Sequence, residues 1–246
     1  MLITTVAERP DLLEPALALG DIGAEFLRHD PVAALTRARR LAARWPEHFL
    51  LVLDDGVPVA RAVSVPLVFP DADRAELPDH GWDGVIVWAV EDALDGRTPT
   101  CAAALDVQVA PDRRGRGIAA EAVTALRESA RERGLNRLVA PVRPTTKDRF
   151  PTTSMEDFLA RRRPDGLSVD PWVRVHERLG GRVVKVAPFS MTVVGTLDQW
   201  RSWTGDSLVE GANVIRDGLV PVLVSTALDV GVYVEPNVWV EHALDG

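Results

Sequence analysis

The chain contains one cysteine, Cys101, and this scarcity limits the sites that it can build. A single thiol cannot form an internal disulfide or supply a cluster of thiolate ligands, so the sequence predicts no metal site. Long apolar runs are also absent, because no segment reaches the roughly 18 uncharged apolar residues that a membrane helix requires. The first residues lack the basic start and apolar stretch of a secretory signal. We therefore expect a cytoplasmic protein that has no membrane partner.

Positive charge is in deficit, because 28 lysine and arginine residues face 36 aspartate and glutamate residues, which gives a net charge of −8. Phosphate backbones require a basic surface, so this balance argues against a nucleic-acid partner. Lysine itself is scarce and occurs only at Lys147 and Lys185. The planar guanidinium of arginine suits phosphate groups, so the chain can still build a local anion site.

The chain has 246 residues, of which 46% are hydrophobic. Along it, strand patterns and helix patterns alternate regularly. A β-branched hairpin surrounds Asp55-Gly56, which is a strong turn signal. Strands and helices then alternate: a strand at 101–109, a helix at 118–133, a strand at 138–142 and a helix at 171–179. This alternation predicts the α/β class with a central sheet, folded as a single domain over residues 1–246.

Two long segments interrupt this pattern. Residues 71–100 are polar and rich in turn residues, apart from one apolar run at 85–90. Residues 143–170 form a connection that is too long to be idle in a compact domain. We interpret this second segment as a lid over the acceptor side of the site.

The C-terminal part reads as strands followed by a tail. Residues 182–187 and 190–195 are predicted to pair with each other as neighbouring strands. The expected core spans about residues 46–195, and a C-terminal extension covers about residues 205–246.

The segment that joins the strand at 101–109 to the next helix carries the clearest chemistry. Pro111 ends the strand, a tight turn with Gly115 and Gly117 follows, and the helix starts at once. Glycine lets the backbone approach a ligand, and free N–H groups at a helix start bind anions with the help of the helix dipole. Positive charge lies beside the turn at Arg113, Arg114 and Arg116. A phosphate site is predicted, although the segment lacks the third glycine of a dinucleotide fingerprint and the Gly-Lys-Ser/Thr of a P-loop.

Residues 114–119, Arg-Gly-Arg-Gly-Ile-Ala, fit the R/Q-x-x-G-x-G/A signature of the GNAT acetyltransferase superfamily, in the same strand–loop–helix setting. The chain resembles this family over roughly residues 46–195. The resemblance implies a GNAT-type mixed central sheet flanked by helices, with acetyl-CoA or another acyl-CoA as co-substrate. It also implies that the preceding strand faces the pantetheine arm at Val107 and Val109, and strand alternation puts Leu105 on their face. The groups implied to hold the pyrophosphate are the backbone amides of Arg114, Gly115, Arg116, Gly117, Ile118 and Ala119.

A second match, at residues 176–181, concerns the proton that the leaving thiolate takes up. Relatives often carry Tyr-Glu-x-Leu-Gly-Phe there, with the tyrosine near the CoA sulfur, whereas this chain has His-Glu-Arg-Leu-Gly-Gly. A histidine donates a proton as a phenol does, provided that its pKa is near neutrality. The resemblance implies that His176 is the general acid. The alternative is a hydrogen-bonded histidine that packs on the helix.

The general base is less defined. Family members that use a glutamate base often carry it on the strand before the loop, where this chain has Asp106. Asp106 is either that base or a solvent-facing residue on the same strand face as Gln108. His80, Asp83 and Glu91, in the polar segment before the strand, are alternatives that the sequence does not rank.

These features together predict an acyl-CoA-dependent N-acyltransferase, which moves an acyl group, most simply acetyl, to an amine of an unidentified acceptor. A small-molecule acceptor is expected, and the sequence is compatible with a homodimer. Two alternatives stay open. One is a GNAT-fold enzyme that takes its acyl group from the phosphopantetheine arm of a carrier protein, and the other is a non-catalytic CoA-binding module.

Overall fold

The centre of the fold is one mixed β-sheet, seen in a computed structural model that describes residues 1–20 and 23–244. Within those residues the sheet has nine strands, which are β1 (Leu2–Thr5), β2 (Phe49–Asp54), β3 (Val57–Leu67), β4 (Cys101–Val109), β5 (Arg137–Val142), β6 (Arg182–Gly195), β7 (Gly211–Asn213), β8 (Val222–Ser225) and β9 (Val230–Ala243). Their order is β1-β2-β3-β4-β5-β9-β8-β7, and β6 also pairs with β9. β4 and β5 run parallel, and every other pair runs antiparallel.

Helices cover both faces of this sheet. In the same described ranges they are α1 (Leu13–Leu17), α2 (Pro31–Leu35), α3 (Ala38–Arg44), α4 (Gly81–Leu94), α5 (Ile118–Glu132), α6 (Met155–Leu159), α7 (Pro171–Arg178) and α8 (Leu197–Thr204). The predicted α/β class, with a mixed central sheet flanked by helices, is confirmed. None of these helices is both long and apolar enough to cross a lipid bilayer.

The two faces of the sheet hold separate cores. On one face, α5, α6 and α7 bury apolar side chains such as Leu126, Phe158 and Val173 against β4, β5 and β9. On the other face, α1, α3 and α4 bury side chains such as Leu41 and Val85 against β2, β3 and β4. We call these the α5 face and the α4 face.

Local patterns in the sequence predicted several elements correctly. The β2–β3 hairpin turns at Asp55 and Gly56, whose φ angles of 49° and 78° are those that a tight hairpin turn requires. α5 ends as predicted, because Gly134 adopts a φ of 74° just beyond its last turn.

The segment at 71–100 differs from its description as a polar insert, since it contains the 14-residue helix α4. The sequence does not predict this helix, because its apolar residues do not lie along a single face. Val85 and Ala89 are buried against the sheet, while Val87, Val90 and Leu94 are exposed. A helix with apolar residues on several sides gives no clear helical period.

The predicted pairing of 182–187 with 190–195 is wrong, because both segments belong to the single strand β6. Their partner is β9, which comes from the tail and lies between β5 and β6. The ladder between β6 and β9 skips from Ala187 to Met191. Pro188 falls in this gap, and proline has no N–H to give to a ladder. The sequence break is therefore an irregularity within one strand rather than a turn between two.

The connection at 143–170 is tied to the body of the protein. The carboxylate of Asp170 accepts hydrogen bonds from the backbone N–H and the hydroxyl of Thr146, both at 2.8 Å. Lys147 donates to the carbonyl of Leu219 at 2.8 Å, and Met155 and Phe158 join the core of the α5 face. The segment thus packs on the α5 face, and its predicted role as a lid over the acceptor stays untested.

Candidate active site

The loop between β4 and α5 presents a row of backbone N–H groups that find no acceptor among the described residues. Gly115 and Gly117 have φ angles of 77° and 84°, in the left-handed region that favours glycine. Nothing lies within 4 Å of the position that a Cβ would take on either glycine, so a ligand can approach both. Across the described ranges, no hydrogen bond uses the amide N–H groups of residues 114–119. These amides open α5, so the loop fits an anion of the size of a pyrophosphate.

Arginine side chains surround this loop, and their internal contacts hold them near it. Arg113 forms an ion pair of 2.6 Å with Asp54 at the end of β2. Arg114 donates from Nε to the carbonyl of Val109 at 3.3 Å, and Arg116 donates to the carbonyl of Asp112 at 3.2 Å. Each contact uses one of the five N–H donors of a guanidinium. The loop therefore keeps a positive environment for phosphate groups.

β4 and β5 separate soon after they meet, and this leaves an open strand edge. They pair only from Cys101 to Ala103 on β4, after which β5 continues along β9 as far as Val142. β3 pairs with the other edge of β4 as far as Val109. Because a strand points its backbone groups to both neighbours, the edge of residues 104–109 that faces β5 has no strand partner among the described residues. The edge includes Val107 and Val109 and leads directly to the glycine loop.

A β-bulge lies at the start of this open edge. Pairing with β3 shifts from Ala104 opposite Ser64 to Asp106 opposite Val63, so Leu105 is the extra residue. The bulge turns the side chain of Leu105 to the core of the α4 face, which corrects the expectation that it shares a face with Val107. The indole N–H of Trp82 donates to the carbonyl of Leu105 at 3.3 Å.

Asp106 points to the α4 face and forms an ion pair with an almost fully buried arginine. Nε of Arg61 lies 2.6 Å from its carboxylate, and Arg61 also donates to the carbonyl of Ala16 in α1. Gln108 shares that face, as predicted, and donates to the carbonyl of Leu19. A carboxylate held by a buried guanidinium fits a structural role beneath α1. The role of Asp106 as general base stays a prediction that this geometry does not favour.

His176 is almost fully buried, beside a second histidine. Its Nδ1 lies 3.0 Å from Nε2 of His242, which stands opposite Leu138 near the start of β5. Burial and then His242 lower the pKa of His176 to about 3, and burial and then Arg127 lower that of His242 to about 4. Both imidazoles are thus neutral at working pH. The geometry favours the packing alternative for His176, and its role as general acid stays untested.

The same pair explains the departure at Gly181. A Cβ at this position would lie 2.7 Å from the ring of His242 and 2.8 Å from the carbonyl of His176. An aromatic residue cannot fit there. His176 in place of the tyrosine and Gly181 in place of the phenylalanine therefore pack together with His242.

Two carboxyl groups, those of Asp30 and Asp83, lie close together beside the first turn of α4. Asp30 is fully buried, caps α2 through the N–H of Ala33 and accepts the N–H of Thr192, both at 2.8 Å. Asp83 follows Trp82 on α4, and one of its oxygens is buried without a hydrogen-bond partner. Burial and then the neighbouring Asp30 raise the pKa of Asp83 to about 9. Among residues 1–20 and 23–244, no lysine or arginine forms an ion pair with either carboxyl group.

His80 and Glu91, the other two candidates for the base, are both exposed. His80 is exposed at the start of α4, with its ring 5.9 Å from that of Phe189. Glu91 is exposed about three turns further along the helix and contacts Arg74. Asp83 is therefore the one of the three alternatives that adjoins the bulge through its neighbour Trp82.

A third set of polar groups on the α4 face was missed by the sequence reasoning. Glu235 of β9 is fully buried and accepts from Arg143 at 2.9 Å and from the hydroxyl of Tyr233 at 2.7 Å. Asn237 donates to Oε1 of Glu235, the oxygen that Arg143 contacts at 2.9 Å, and accepts from Ser190. The signal was present as polar residues at alternate, inward positions of an otherwise apolar strand. It was overlooked because the tail was placed outside the core.

The sequence profile described as "Acetyltransferase (GNAT) family" matches residues 21–149, just over half of the chain. The chain is also 33% identical over 278 aligned positions to the arginine N-acetyltransferase avaD of Aspergillus versicolor, an alignment that covers 98% of this chain and 93% of the relative. The chain belongs to the GNAT acetyltransferase family.

Two solved structures share the fold of this GNAT protein. The loading GNATL domain of CurA from Lyngbya majuscula aligns with a TM-score of 0.57 and 13% identity, covering 99% of this chain and 98% of that one. The GphF GNAT-like decarboxylase in complex with isobutyryl-CoA aligns with a TM-score of 0.56 and 17% identity over the full length of both chains.

This membership confirms the predicted activity: the chain is an N-acyltransferase that uses an acyl-CoA as co-substrate. The reading as a non-catalytic CoA-binding module is thereby set aside. Within the described part of the chain, no three His, Cys, Asp or Glu side chains are grouped so as to hold a metal ion.

Proposed function

We propose that this enzyme transfers an acetyl group from acetyl-CoA to an amine of a small basic molecule, with arginine as the first acceptor to test. The observation that carries the proposal is the likeness to an arginine N-acetyltransferase over nearly the whole of both chains. The acidic groups on the α4 face support it, as does the net charge of −8, which attracts a cationic substrate.

The donor is proposed to lie along the loop and the open edge of β4. The amides of residues 114–119 hold the pyrophosphate, and the pantetheine arm adds to the unpaired edge beside Val107 and Val109. Leu105 lies four residues before Val109, about 13 Å along a strand. That span is comparable with an extended pantetheine arm, so the thioester reaches the bulge.

The acceptor is proposed to approach from the α4 face and to be held by Asp30 and Asp83. Because its pKa is raised to about 9, the carboxyl group of Asp83 keeps its proton at neutral pH until a cation binds beside it. A guanidinium or ammonium group supplies the positive charge that the described residues do not place there. The pair thus fixes the cationic end of the acceptor while its reacting amine faces the thioester.

The reaction follows from this placement. The neutral amine attacks the thioester carbonyl, and the new C–N bond forms. The attacking nitrogen gives its extra proton to water, and the C–S bond breaks to release CoA as a thiolate. A thiol has a pKa near 8.5, so its thiolate leaves and takes a proton from water without a buried acid. Orientation of the two substrates is the main contribution of the protein.

The proposal is tested by steady-state kinetics on Asp83→Asn, with release of free CoA as the readout. We expect the KM for arginine to rise at least about 10-fold, because a bound cation ionises Asp83 and asparagine cannot supply that negative charge. The KM for acetyl-CoA should stay within about 2-fold of the original. Asp95→Asn, an exposed aspartate just beyond α4, is the matched control. An Asp83→Asn enzyme with the original KM for arginine contradicts the proposed acceptor site.

A further inference from the structure

The N-terminus of α4 is locked onto the two long strands of the sheet. The backbone N–H of Trp82 donates to the hydroxyl of Ser190 at 2.8 Å, and this hydroxyl donates to Asn237 at 2.6 Å. Ser190 and Asn237 are almost fully buried. A Cβ on Gly81 would lie only 2.2 Å from the hydroxyl oxygen of Ser190, so the approach requires glycine. The first turn of α4 is therefore fixed relative to β6 and β9.

From this anchored turn, one side chain reaches β4. The indole of Trp82 has a single N–H donor, and it is spent on the carbonyl of Leu105, the extra residue of the bulge. A bulge leaves its extra residue outside the regular ladder, so this backbone needs another contact to fix its orientation. Trp82 provides one, and Ser190 and Asn237 hold Trp82 in turn.

We infer that Trp82 is a positioning residue for acyl transfer, because its indole N–H fixes the bulge of β4 at the point where the open edge meets the thioester. The helix that carries it is α4, which lies within the segment at 71–100, between β3 and β4. Backbone groups stabilise a reacting carbonyl only when they are oriented in advance. Small errors in the placement of these groups lower kcat strongly and change the affinity for acetyl-CoA little.

The test compares Trp82→Phe with Trp88→Phe. The first substitution keeps a ring and removes the N–H. Trp88, on the same helix, packs on Phe69, just beyond the end of β3, and on Arg74. We expect kcat to fall about 10-fold or more in Trp82→Phe, with the KM for acetyl-CoA within about 2-fold of the original. Trp88→Phe should keep its kcat.

Two further readouts are independent of the acceptor, so they separate this inference from the proposed arginine activity. The infrared stretch of the ¹³C-labelled carbonyl of bound acetyl-CoA should shift toward its value in water in Trp82→Phe. Amide exchange at Leu105 and Asp106 should be faster in the ligand-free variant. Ser190→Ala, which loosens the same helix start, should change both readouts in the same direction and remains informative if Trp82→Phe fails to fold.

The inference is overturned if Trp82→Phe keeps its kcat and its carbonyl frequency. It is equally overturned if Trp88→Phe loses as much activity and shows the same faster exchange, because the effect then belongs to the stability of α4 as a whole.

Discussion

Asp83 shows how a single residue of the proposed site opposes the stability of the fold. A carboxyl group whose pKa is raised by folding disfavours the folded state at every pH above its unfolded pKa, near 4. The penalty grows as the pH rises toward 9, the folded value. A residue retained at such a cost is expected to serve binding or catalysis.

Asp83→Asn should therefore stabilise the free enzyme while it weakens the binding of arginine. We expect the free energy of unfolding at pH 7 to rise by about 1 kcal/mol or more, and the gain to shrink as the pH falls toward 4. Urea unfolding at several pH values measures this directly. A less stable variant, or a gain that is independent of pH, would mean that burial does not penalise this carboxylate.

The His176–His242 pair gives a second pH dependence, of opposite sense. Both imidazoles have a lowered pKa in the folded protein, so the unfolded chain binds more protons below about pH 6.5. Stability should be insensitive to this pair above pH 6.5 and should fall as the pH drops toward 4, by up to about 1.4 kcal/mol per pH unit for each ring.

His176→Phe should flatten this acid dependence, whereas the exposed His80→Gln should leave it unchanged. His176→Phe should also keep the alkaline limb of the pH–rate profile, because the imidazole of His176 is already neutral in the pH range of turnover. Loss of that limb would instead restore His176 as the general acid.

At the scale of elements, the glycine loop and α5 provide a matched comparison. Gly117 opens α5 and Gly134 lies just beyond its other end, and both have positive φ with open space at the Cβ position. A valine at either site is strained by about 1–3 kcal/mol. Only Gly117 belongs to the row of free amides.

We expect Gly117→Val to weaken CoA binding by at least about 10-fold, because the Cβ and the altered backbone displace the N–H groups from the anion. Gly134→Val should lose similar stability and bind CoA normally. Isothermal titration calorimetry measures the affinity of each variant for CoA. Equal affinity in the two variants would show that the pyrophosphate does not bind at this loop.

Elements defined by local residues were predictable from the sequence, and elements defined by distant partners were not. The Asp55-Gly56 hairpin and the glycine loop are determined by backbone conformations that few residues adopt. The bulge at Leu105 depends on pairing with β3, and the pKa of Asp83 depends on Asp30, 53 positions earlier in the sequence. No local pattern carries that information, so the acceptor side could not be ranked in advance.

At the scale of the whole molecule, the proposed donor and acceptor sites lie on opposite faces of the same opening in the sheet. The glycine loop and α5 lie on one side, and the carboxyl pair and the anchored start of α4 lie on the other. β9 connects these two sides, because it pairs with β5 and places Glu235 and Asn237 on the α4 face. The tail of the chain therefore completes the opening rather than covering it.

The central claim is transfer of an acyl group from CoA to a basic amine across this opening, and one measurement tests it most directly. Purified enzyme is incubated with acetyl-CoA and arginine, free CoA is followed over time, and the product is identified by mass spectrometry. We predict one N-acetylarginine for each CoA released, with kcat/KM for arginine at least about 10-fold lower in Asp83→Asn. Release of CoA at the same rate without arginine, and with no acylated amine formed, would contradict the claim.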